Sequence, residues 1–166
     1  MHYLKTLMLS VVVAGVAYAG PALSCKTWVV TPGSTFEALE PLRSIAMEAD
    51  DGPAQMASAR KRIADLRAAM RPDDALSILK AGYWIAVMNA IGITKESDGP
   101  ELIRKAMQLR PNDAEYQFFT ALAYFQAGEK ALYHKHWTKA QELAAKGSAV
   151  AKNLKIYEKE LSARTE

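Results

Sequence analysis

Only one cysteine, Cys25, stands in the 166 residues, so no disulfide can form within the chain. Charge of neither sign dominates: 21 Lys and Arg face 18 Asp and Glu. That balance gives no electrostatic case for nucleic acid, which wants a basic face with aromatics interleaved. Arg60, Lys61, Arg62, Arg67 and Arg71 do cluster, and they read as the solvated face of an amphipathic helix. Segments that alternate β-branched and polar residues are few, which removes the signal of a sheet and points to an all-α domain.

Catalytic and metal-binding signatures are missing as well. The chain has no H-E-x-x-H, G-x-S-x-G, phosphate-binding glycine loop or C-x-x-C. His134 and His136 look like a ligand pair, but positions two apart on a helix do not share a face. Lys130, Lys135 and Lys139 surround them, so both histidines are expected on a solvated surface. Asp50-Asp51 and Asp73-Asp74 sit at helix starts, where capping and the helix dipole explain them. Neither an enzyme nor a cofactor or metal site is expected.

The chain begins with a segment of a different kind. His2 and Lys5 precede an apolar run, Leu7 to Val16, that is shorter than the about 20 residues of a membrane span. Ala17-Tyr18-Ala19 fits the small-x-small cleavage rule, so residues 1–19 read as a cleavable export signal and the periplasm as the destination. Residues 20–35 follow as an N-terminal arm. Within it Ala22-Leu23-Ser24-Cys25 resembles a bacterial lipobox, with its Leu one place later than that family puts it. Lipidation at Cys25 would make the protein an anchored envelope scaffold, and a membrane partner is expected on that condition only. An unmodified thiol is the other reading. Thr27-Trp28-Val29-Val30 has the composition of a short strand, which Pro32-Gly33 ends.

From Ser34 onward the pattern is helical. Ser34 and Glu37 form a capping box before Phe36, Leu39, Leu42 and Ile45, although Pro41 interrupts the run. Arg71-Pro72-Asp73-Asp74-Ala75 returns later as Arg110-Pro111-Asn112-Asp113-Ala114. Each copy stops one apolar helix and caps the next. Ten residues beyond each Pro stands a small residue, Gly82 or Ala121, where closely packed helices cross. Val150, Leu154, Tyr157 and Leu161 form a single apolar stripe on the last helix, as the end of a stack requires.

With Pro72, Gly82, Pro111, Ala121, Tyr124 and Gly128 in these places, residues 36–163 resemble a small tetratricopeptide repeat (TPR) protein. The spacing of the copies exceeds that family's repeat of about 34 residues, and the polar loop from Gly92 to Gly99 holds the excess. The resemblance implies a short right-handed α-solenoid: a first pair within residues 36–71, two further pairs, and a C-terminal capping helix. It also implies a concave groove lined by the first helix of each pair. The groove-facing places are then Leu76, Leu79, Tyr83 and Val87, followed by Glu115, Phe118, Leu122, Phe125 and Gln126. A protein or peptide segment is the expected partner, with Tyr83, Phe118 and Phe125 as anchors and Glu115 and Gln126 as polar contacts. The competing reading is a small-ligand binder or enzyme whose helices wall a closed apolar pocket.

Overall fold

A computed structural model describes residues 28–48 and 52–162, which form seven α-helices and no strand. The helices are α1 (Thr35–Met47), α2 (Pro53–Ala68), α3 (Ala75–Ala90), α4 (Gly99–Leu109), α5 (Ala114–Gln126), α6 (Lys130–Leu143) and α7 (Ala149–Ser162). The cleavage site after Ala19, Cys25 with its lipobox-like run, and Asp50-Asp51 lie outside the described residues. Among those described, no helix is long and apolar enough to cross a membrane.

Local chemistry sets the helix ends. Ser34 Oγ accepts the Glu37 N–H at 3.2 Å, and the Glu37 carboxylate reaches back to the Gly33 N–H at 2.7 Å. α1 starts at this cap and runs through Pro41, which costs one backbone bond but does not delay the start. In the repeated turns the caps are the aspartates two residues after each proline, Asp74 and Asp113. Asp74 accepts from the Leu76 and Ser77 amides, and Asp113 from that of Glu115. Pro53 and Pro100 occupy first-turn positions, where a missing N–H is harmless. α5 ends before Gly128, whose φ of 77° lies in the left-handed region that suits glycine.

Packing follows the most apolar helices. α3 runs along α4 and α5 along α6, and the two hairpins meet through α4 and α5. The expected crossing at Gly82 is present, and its partner is another glycine. A Cβ on Gly82 would stand 2.8 Å from the Ile103 nitrogen and 2.9 Å from the Gly99 oxygen. A Cβ on Gly99 would stand 2.5 Å from the Ala86 nitrogen. Both positions therefore need glycine for close approach.

α1 and α2 depart from the expected first pair. α1 lies chiefly against α3, as does α2. The reason is apolar supply: α1 buries Phe36, Leu39 and Leu42, whereas α2 buries only Ala59 and Ile63. Too little of α2 is apolar to make a hairpin core with α1. α7 closes the other end against α5 and α6 through Val150, Leu154, Tyr157 and Leu161.

The basic cluster on α2 is largely matched by partners. Lys61 pairs with Asp65, Arg67 with Glu96 and Asp98, and Arg71 with Asp74. The Arg62 guanidinium lies 5.7 Å from the Trp84 ring centroid. These are exposed pairs on a solvated face, each worth little.

Candidate partner-binding site

The face of α3 and α5 expected to be an open groove is covered by the chain itself. Tyr83 and Phe118 are both 0% exposed, so neither is available as a surface anchor. Their cover is Trp28, Phe36 and Leu39, from the arm and α1. Phe36 packs on Phe118 and Phe119 with ring centroids 5.3 and 5.1 Å apart. Trp28 meets Phe36 edge-on at 5.2 Å and Phe119 at 5.9 Å, and lies 6.0 Å from Tyr83. Tyr157 of α7 closes on Phe118 from the far side at 5.1 Å. Such ring contacts add about 0.5–1.5 kcal/mol each beyond burial. A row of large apolar rings cannot be left in water when an adjacent segment is apolar enough to cover it.

The segment that does the covering is gripped by its main chain as well as its side chains. Asn153 of α7 is fully buried. Its Oδ1 accepts the Val29 N–H at 2.5 Å and its Nδ2 donates to the Val29 carbonyl at 2.8 Å. Glu115 Oε2 accepts the Thr35 N–H at 2.5 Å, adding a carboxylate to the N-terminus of α1. The Trp28 indole N–H donates to Glu40, and the Arg43 guanidinium lies 5.3 Å from the indole centroid. Arg43 also binds Glu40 at 2.7 Å. That bond holds the Glu40 carboxyl below its usual range, with burial opposing and the Trp28 indole assisting. Trp28, only 7% exposed, thus joins the core of the helical domain.

Phe125 and Gln126 sit at the other end of α5 and do not join this cluster. Gln126 is half-buried; its Nε2 donates to the Ala86 carbonyl at 3.2 Å, and its buried Oε1 accepts no hydrogen bond among the described residues. Phe125 is half-buried and meets Tyr133 edge-on at 5.2 Å. The two rings, with Trp137 and Leu161, wall a half-open cleft of about 470 Å³ between α6 and α7. Lys130, His134 and Glu158 stand at its rim. Burial, and next the nearby Glu158 charge, push the Tyr133 phenol upward. Of the five expected contact residues, the structure therefore brings Tyr83, Glu115 and Phe118 to the covered face and leaves Phe125 and Gln126 apart.

His136 is buried rather than solvated. Its Nδ1 lies 2.7 Å from Gln117 Oε1, and Gln117 Nε2 donates to the Pro111 carbonyl at 2.7 Å. With Gln117 oriented in this way, Nδ1 carries the proton. The ring stacks on Tyr124 at 5.3 Å. Burial, then the Lys135 charge, lower its pKa. This network ties α6 to the second repeated turn. Among the described residues no group of three His, Cys, Asp or Glu side chains converges as a metal site would need.

Sequence reasoning missed Asn153 and His136, though each left a signal. Asn153 lies three after Val150 and four before Tyr157, and His136 three after Tyr133 and four before Ala140. Both are polar residues on the apolar stripe of their helix, where a side chain needs a buried partner. No family model, no curated protein and no solved structure matches this chain.

Proposed function

We propose that the chain is an exported, TPR-like interaction module that performs no catalysis and binds an extended segment of a partner protein. One observation carries the reading. The fully buried Asn153 spends both ends of its amide on the main chain of a single residue, Val29. Pairing with an N–H and a C=O together recognises an extended backbone whatever its side chain, as the edge of a sheet does. The aromatic rings of α3 and α5 beside it supply contact area at low rotamer cost. Export is supported by the run Leu7–Val16 and the Ala17-Tyr18-Ala19 pair, which direct the module to the periplasm.

Site-specific photo-cross-linking in the full-length protein tests this. A cross-linker at Val30, which is 39% exposed beside the grip, is expected to give a defined protein adduct in cells. One at Arg60, on the solvated face of α2, is expected to give none. The same adducts at both positions, or none at Val30, would remove the reading. Intact-mass measurement tests the export step: a mature chain starting at Gly20 is expected. A lipidated chain starting at Cys25 would make the module an anchored scaffold.

A further inference from the structure

We infer that residues 28–30 act as an intramolecular ligand. Their seat recognises an extended segment, in another protein, that carries an aromatic residue followed by a β-branched one. The chain's own arm holds the seat until such a segment displaces it. This rests on the reading of the chain as an interaction module and says what that module takes.

Four observations lead here. Every contact of the seat comes from outside residues 28–30: Phe36, Glu40 and Arg43 of α1, together with Tyr83, Phe119 and Asn153. α1 has its own cap at Ser34 and its own buried residues, Phe36, Leu39 and Leu42, so it stays in place when the arm leaves. The contacts to the arm are selective ones. The indole N–H is read by a carboxylate, the ring by three aromatic neighbours, and the main chain by an amide. The Asn153 amide pairs both main-chain groups of Val29, which would otherwise be covered without partners. Finally, the arm crosses the surface: Val30, Pro32 and Gly33 are exposed, so a competing segment can enter from solvent. A tether this short gives the arm an effective concentration on the order of millimolar, so the closed form masks a weaker free ligand.

The test uses the full chain and a fluorescent peptide of residues 26–33, with binding read by polarisation. Trp28→Ala removes the ring of the resident arm, and Val29→Pro removes the N–H that Asn153 accepts. Both variants are expected to keep their helical circular dichroism and to bind the peptide at least tenfold more tightly than wild type. Adding Asn153→Leu to Trp28→Ala is expected to cost at least tenfold. A peptide with Trp and Val exchanged is expected to lose binding to a similar degree. Folded variants with no gain in affinity would overturn the proposal, and so would failure of both variants to fold, since the arm would then be ordinary core. Light scattering that shows wild-type chains exchanging arms as dimers would overturn it too, by making a second copy the occupant. The two readings fail separately. Peptide binding without adducts at Val30 removes the partner reading, whereas adducts without peptide binding remove the seat.

Discussion

In the α3–α4 hairpin the two backbones approach closely at Gly82 and Gly99, leaving no room for a Cβ at either. In the α5–α6 hairpin the corresponding position is Ala121, and the helices are joined by side chains instead: Phe118 against Trp137, and Gln117 against His136. The turns differ in the same sense. The exposed Arg71 is held by the half-buried Asp74 and Ser77, while the Pro111 carbonyl is held by the buried Gln117 amide. Two copies of one motif have reached close packing by opposite means. The first tolerates no added atom, and the second tolerates no lost partner.

The largest effect is expected from breaking the second hairpin. Phe118→Ala removes a ring in contact with Phe36, Phe119, Trp137 and Tyr157, and is expected to cost about 3–5 kcal/mol in urea denaturation. The matching test of the first hairpin adds one carbon. Gly99→Ala places a Cβ against the backbone of Ala86 and is expected to cost about 1–3 kcal/mol. A stabilised variant would show that the crossing can open and would erase the contrast.

His136→Leu sharpens the comparison at the polar join. It leaves the buried Gln117 Oε1 without its donor, at an expected cost of about 1–3 kcal/mol. The same residue sets a pH dependence. Its folded pKa lies below the unfolded value of about 6.5, so the native state binds fewer protons. The contribution is then fully present above that unfolded value and is lost as pH falls through it toward the folded one. Stability of the wild type is expected to drop as pH falls below about 6.5, and the drop should flatten in His136→Leu. Equal slopes in the two proteins would move the titration elsewhere. The smallest effect is expected at the second turn itself, where Asp113→Ala removes one cap bond, to Glu115, at about 1 kcal/mol in thermal melting.

Much of the local structure was legible in the sequence. Pro72, Pro111 and the Asp residues after them mark where helices stop and are capped. Gly82 marks the crossing, and the stripe from Val150 to Leu161 marks a terminal helix. These are short-range signals, set by φ restrictions and helical periodicity. The site was less legible, because periodicity says which face of a helix is apolar and not what covers it. Tyr83 and Phe118 carry the same pattern whether they face a partner or Trp28. The pairing of Val29 with Asn153 spans almost the whole domain, and no local rule reports it. Glu115 was marked as a polar contact, and it does make one, but to Thr35 of its own chain.

That last pairing has a consequence in time. Trp28 is made long before Glu115 and Asn153, and leaves the ribosome ahead of them. Its seat cannot exist until α5 and α7 have followed. The first residues of the domain to emerge are therefore among the last to be placed. Through most of synthesis the Trp28 indole travels without its cover, available to whatever meets a nascent chain. Contacts of this sequence separation also slow closure, since the loop entropy must be spent before the contact forms.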